Sequence, residues 1–147
     1  MSRKFYLGMN YNGGGIELAK KLAPQLEILT GDQCTSRWHH SEAHEHKEFR
    51  KTISYTDIAD VARADYVIIA ALTGTSRGAH FEMGLAVGLD KPVYLYRPEG
   101  IDGTAFDECT LPWKTEWIVA IEKLLIEARW QRAESNPEPA PKESTKE

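Results

Sequence analysis

The chain is 147 residues long, 41% hydrophobic and 27% charged, with a formal net charge of −4. These values fit one soluble domain with a real core and give no general attraction for nucleic-acid polymers or anionic membranes. Any phosphate site must therefore be local, and no apolar segment approaches the length of a membrane span.

Phe5-Tyr6-Leu7 opens a first strand, and a loop rich in glycine and asparagine follows from Gly8 to Gly15. Ile16, Ala19 and Leu22 share one face of a helix, which Pro24 is expected to end or follow. Leu26-Glu27-Ile28-Leu29 reads as a second strand, whereas residues 31–50 are polar, rich in histidine and without an assignable pattern. A short helix is expected from about Thr56 to Arg63. Tyr66 to Leu72 is so uniformly apolar that it reads as a buried parallel strand. The next helix carries Glu82 in its first turn and runs to about Leu89. Asp90-Lys91-Pro92 then turns into a strand, Val93 to Tyr96, and Pro98 to Pro112 reads as a long loop. Trp117, Ile121, Leu124, Leu125 and Ala128 form an apolar stripe at helical spacing, predicting a helix to about Arg132. Residues 133–147 are rich in proline and charge and are expected to be a disordered tail.

The alternation of strands and helices implies a small doubly wound α/β domain over residues 1–132. Its parallel sheet has four to five strands, with helices on both faces and any fifth strand hidden in 31–50. Cys34 and Cys109 form no ligand or redox motif, so reduced thiols and a cytoplasmic location are expected. The apolar run after Met1-Ser2-Arg3-Lys4 is too short for a secretory core.

Ligands of open α/β sheets bind beyond the carboxyl ends of the strands. That places two segments at the site: the Gly8–Gly15 loop, and Ser76-Arg77-Gly78-Ala79-His80-Phe81-Glu82. Glycines let a backbone approach a ligand, and the helix amides that follow favour an anion. The loop spacing matches neither the dinucleotide fingerprint nor the P-loop. A lone carboxylate at Glu82 suits attack on, or stabilisation of, a sugar carbon that becomes cationic. Its alternative is a favourable charge in the first helical turn; a capping box fails because position 79 is Ala79. Ser76 reads as a helix cap or a ligand, and Arg77 as a solvated residue or an anion contact. Asp57 closes a capping pattern, Ser54-Tyr55-Thr56-Asp57, and Asp65 reads as a boundary residue. Gly84 and Gly88 are expected to let the helix pack closely on the sheet. His39, His40, His44 and His46 invite a metal, but no further ligand has a recognised spacing, so none is expected. Trp38 reads as a packing residue, with stacking on a nucleobase as the alternative.

Together these residues resemble the nucleoside 2-deoxyribosyltransferase superfamily, over roughly Phe5 to Pro98. The most specific portion is Asp57 to Asp65, the apolar strand, Ser76-x-Gly78-x-x-x-Glu82-x-Gly84-x-Ala86, and Lys91-Pro92-Val93. The resemblance implies a flavodoxin- or Rossmann-like fold, Glu82 as nucleophile, Asp57 in catalysis and base handling, and Tyr6 lining the site. It implies a small-molecule nucleoside or nucleotide substrate, no metal or organic cofactor, and a homo-oligomer. At Ser76, six residues before the nucleophile, the monophosphate hydrolases of the superfamily carry a phosphate-binding serine and the nucleoside transferases tend to carry an aspartate. The expected activity is therefore cleavage of the N-glycosidic bond of a nucleoside 5'-monophosphate, with a 2'-deoxy sugar the first expectation and ribose left open. Gly8, Asn10, Gly13, Gly14, Ser76, Arg77 and Gly78 are expected around the substrate. Met9 and Asn10 depart from the hydrolases' first-loop pattern. Base exchange between deoxynucleosides and a non-catalytic nucleotide-binding module are the alternatives.

Overall fold

A computed structural model describes residues 2–9, 14–40, 50–73, 77–101, 103 and 105–128. Five strands form one sheet: β1 (Lys4–Met9), β2 (Gln33–Cys34), β3 (Tyr66–Ala70), β4 (Val93–Tyr96) and β5 (Leu111–Pro112). They lie in the order β2-β1-β3-β4-β5, and every pairing is parallel. Helix α1 (Gly15–Thr30) packs against α4 (Thr115–Glu127), and α2 (Arg50–Arg63) packs against α3 (Arg77–Gly88). The sheet is thus covered on both faces, the doubly wound architecture that the alternation predicts.

Sheet growth reverses direction between β1 and β3, which pair from Phe5↔Tyr66 to Met9↔Ala70. A crevice beyond the carboxyl ends of these strands is where this topology binds ligands. Both strands are buried along their length, apart from Lys4, which is why neither shows polar alternation.

Pro24 does not end α1. Leu18, Leu22 and Leu26 all face the core at 3%, 0% and 0% exposure. Burying each contributes about 1.5–3 kcal/mol, together more than the ~3 kcal/mol cost of an internal proline. Pro24 and Lys20, whose carbonyl loses its amide partner, both lie on the exposed side. Leu26 to Leu29 is consequently helix rather than strand, and Ile28 projects outward at 81% exposure. The helix stops at Gly31, whose φ of 74° lets its amide reach the Glu27 carbonyl at 2.9 Å. The strand expected at 26–29 is instead β2, inside the segment without pattern, and β5 lies inside the expected long loop. Each has two residues and pairs through its backbone, so side-chain periodicity could not reveal it.

Two further expectations are corrected. Helix α2 begins at Arg50, so Ser54 lies within it and does not cap it; its first turns are largely exposed and offer no apolar stripe. Gly84 and Gly88 lie on the exposed side of α3 with open space where a Cβ would stand, so they mediate no close packing. Asp65 does sit at a boundary, accepting the Lys4 amide at 2.8 Å. Helix α4 buries Trp117, Ile121 and Leu124, as the stripe predicts, and ends at Glu127. Trp113 ties this end to the sheet through indole hydrogen bonds to the carbonyls of Ile69 (3.1 Å) and Tyr94 (3.2 Å). The expected tail, 133–147, lies outside the described residues.

Lys91 closes the other end of the crossover. Its ammonium donates to the carbonyls of Val61 (3.3 Å), Ala62 (2.6 Å) and Ala64, at the C-terminal end of α2. A cation there satisfies carbonyls at the helix end, of which the Val61 carbonyl also accepts the Ala64 amide at 3.1 Å. Lys91→Met is expected to lower stability by about 1–2 kcal/mol in equilibrium urea unfolding.

Candidate active site

Residues two apart on a strand point to the same face, so Tyr6 and Gly8 of β1 look the same way. Opposite them, Ala79, Glu82, Met83 and Ala86 form the buried stripe of α3. Glu82 thus stands where the spacing calls for an apolar side chain. It is the sixth residue of α3, in the second turn rather than the first, so the macrodipole does not account for it.

The carboxylate is held from two sides. The Tyr6 hydroxyl, fully buried, donates to Glu82 Oε2 at 2.6 Å. A Cβ on Gly8 would stand 2.6 Å from Glu82 Oε1 and 2.8 Å from Ile69 Cδ1. Glycine at position 8 therefore leaves the volume that the carboxylate occupies. Burial pushes the Glu82 carboxyl up to about 8; the Tyr6 hydrogen bond opposes this and the charge of Asp57 adds to it. Burial, then the charges of Glu82 and Asp57, push the Tyr6 phenol well above its usual range.

Asp57 approaches from α2. Its Oδ1 is buried and has no hydrogen-bond partner among the described residues. Burial and the charge of Asp60 raise its carboxyl to about 6, against the lowering effect of Arg37. A buried acceptor without a partner costs about 1–3 kcal/mol, which a bound molecule with a donor would relieve. The arrangement is chemically a pair of carboxyl groups that hold protons near neutral pH at the mouth of β1 and β3.

The structure brings Tyr6, Gly8 and Glu82 together, with Asp57 close enough to act on Glu82 and Tyr6 through its charge. Gly14 precedes α1 at φ 89°, and its carbonyl accepts the Leu18 amide. Gly78 lies exposed in the first turn of α3, which Arg77 opens. Asn10, Gly13 and Ser76 lie outside the described residues. Trp38 packs in the core and donates its indole N–H to the Leu7 carbonyl at 2.7 Å. His39 is buried beside it, its pKa lowered to about 4, chiefly by burial. His44 and His46 lie outside the described residues, among which no group of three metal-ligating side chains occurs.

Sequence reasoning missed the support behind Asp57. Asp60 is fully buried and accepts from the Arg37 amide (3.0 Å), Arg37 Nε (3.0 Å), Arg37 Nη2 (2.7 Å) and Arg63 Nη2 (2.9 Å). The three-residue spacing of Asp57 and Asp60 on one helix was a usable signal. Arg37, from the segment without pattern, gave none.

Gly8→Ala is expected to lose about 1–3 kcal/mol of stability, because its methyl group and the Glu82 carboxylate compete for one volume; urea unfolding measures this. The raised Glu82 pKa makes a second expectation. A carboxyl whose folded pKa exceeds its usual 4.5 loses stability as pH rises from about 4.5 to about 8. Glu82→Gln should therefore gain on the wild type across that window, by roughly 3–5 kcal/mol at its upper end. A difference that stays flat from pH 4 to pH 9 would remove Glu82 as the perturbed group.

A search of curated proteins finds no match. The family model for nucleoside 2-deoxyribosyltransferase matches residues 15–114, a span that includes both Asp57 and Glu82 and begins after β1. The chain belongs to the nucleoside 2-deoxyribosyltransferase family.

Proposed function

We propose that the protein cleaves the N-glycosidic bond of a 2'-deoxynucleoside 5'-monophosphate, releasing free base and sugar phosphate. The observation that carries this reading is the buried Glu82 carboxylate, seated on Gly8 and held by Tyr6, with the raised carboxyl of Asp57 nearby. Membership of the family supports chemistry at a nucleoside glycosidic carbon. Glu82 attacks C1' as the bond to the base breaks through an oxocarbenium-like state, forming a glycosyl ester. Asp57 delivers a proton to the leaving base. Water then cleaves the ester, losing one proton to the Asp57 carboxylate, and so returns the Glu82 carboxylate, the sugar hydroxyl and the protonated Asp57. Ser76, with Arg77 and amides of the segments that carry Asn10, Gly13, Gly14 and Gly78, holds the phosphate, while Gly8, inside β1, borders the substrate where it seats Glu82. Neither a metal nor an organic cofactor enters this scheme.

The family's own description favours a second reading, in which another base rather than water takes the deoxyribosyl group. Ser76 argues for the monophosphate, since a hydroxyl donates to a phosphate where a carboxylate would repel it. A homo-oligomer goes with either reading. The outer face of α3 offers it a surface, with Phe81 55% exposed beside an apolar cavity of about 490 Å³. No helix among the described residues is long and apolar enough to cross a membrane. A cytoplasmic location is proposed on the free thiols of Cys34 and Cys109.

Chromatography of free base from a panel of deoxynucleoside and ribonucleoside monophosphates, beside the matching nucleosides, tests the proposal. Release from monophosphates alone is expected, falling ~10³-fold or more in Glu82→Ala. Release only when an acceptor base is added would establish transfer instead, and no release at all would leave a binding module. The rate should follow a bell with limbs near pH 6 and pH 8. The reactive state has one proton on the carboxyl pair, on Asp57 with Glu82 ionised, the minority form because Glu82 has the higher pKa; two protons quench the nucleophile, and none leaves no acid.

A further inference from the structure

Asp57 and Asp60 stand three residues apart on α2, a spacing that puts side chains on one helix face with Cβ atoms ~5–6 Å apart. Asp60 is fully buried, and the two guanidinium groups that hold it are half-exposed, with side-chain exposures of 58% for Arg37 and 49% for Arg63. Charge in the interior is screened less than charge in contact with water. The buried carboxylate therefore outweighs its two partners in the field at Asp57.

We propose that Asp60, clamped by Arg37 and Arg63, is a positioning residue that sets when Asp57 carries the proton it delivers to the leaving base. The proposal rests on the reading of Asp57 as the acid. It concerns a residue that touches neither the substrate nor Glu82, and its only other charge effect at the site is the smallest of those that raise the Tyr6 phenol.

Charged and titratable groups face Asp57 from each element packed around the site, and those whose charges act on it are Asp60 and Arg37. Asp60 acts from α2, Arg37 from the segment after β2, and Glu82 and Tyr6 face it from α3 and β1. Of these, Asp60 favours the protonated form and Arg37 the ionised one, and Asp60 has the larger effect. Arg63 holds Asp60 but does not itself figure among the charges on Asp57.

A purely structural clamp is the competing account. The Asp60 carbonyl accepts Thr35 Oγ1 at 2.8 Å, and Arg63 Nη2 donates to the Thr35 carbonyl at 3.3 Å. The same stretch continues to Trp38, whose indole is bonded to Leu7 between Tyr6 and Gly8. If the clamp served only to hold this stretch, loss of either partner would loosen the site in the same way. The electrostatic role predicts opposite signs.

The test is a carbon-13 NMR titration of the full chain labelled at its aspartate carboxyls. Asp57 is identified by the resonance missing from Asp57→Asn. Its midpoint should fall by about one pH unit in Asp60→Asn and rise by about half a unit or more in Arg37→Met. Arg63→Met, which also removes a clamp bond, should move it least. The acid limb of kcat/KM should shift in the same directions. Should Asp60→Asn fail to fold, the contrast between Arg37→Met and Arg63→Met still decides, because both replace half-exposed side chains. Midpoints that stay put, or move the same way in every variant, overturn the proposal. Full activity in Asp57→Asn would instead overturn the catalytic reading, with the titration still deciding whether Asp60 controls Asp57.

Discussion

The site depends on burying one carboxylate against one backbone. Glu82 occupies a core-facing position of α3, and an ionised carboxyl without compensation there would be driven to neutrality. Two features of β1 make the position tenable. Gly8 vacates the volume of a side chain, and the Tyr6 hydroxyl supplies a short hydrogen bond. The parallel register of β1 with β3 aligns these residues with the strand that leads into the loop before α3. The cost is a raised pKa, pushed up to about 8, because burial outweighs the Tyr6 hydrogen bond.

The second carboxyl shows the same economy with different means. Asp57 is less buried than Glu82; burial is still the largest cause of its raised pKa, and the charge of Asp60 comes next. Its neighbour Asp60 is itself stabilised by two arginines, one from its own helix and one from the stretch after β2. Helix α2 therefore belongs both to the wall of the fold and to the electrostatics of the site. Lys91 completes this coupling by fastening the end of α2 to the turn before β4.

Comparison of sequence and structure separates what is local from what is not. The uniformly apolar run at β3, the stripe of α4 and the alternation of element types were legible because burial on both faces or on one stripe leaves a periodic trace. The doubly wound architecture followed from them. The extent of α1 was not legible, since Pro24 is a local stop signal that three distant leucine contacts overrule. Strands β2 and β5 were hidden because a two-residue strand is recognised by its backbone partner and not by its side chains.

Pattern and spacing along the chain were enough for the fold class, the place of Glu82 beyond the carboxyl end of a strand, and the family that Glu82 and Asp57 point to. Only the tertiary structure decided that Glu82 lies in the second turn of α3, on Gly8 and under Tyr6. The same holds for Asp60, which Arg37 reaches from a stretch with no pattern of its own. The physical reason is distance along the chain: 76 residues separate Tyr6 from Glu82 and 23 separate Arg37 from Asp60. Periodicity records which face of an element is buried, whereas contacts between elements are set by how the sheet is ordered and in what register its strands pair.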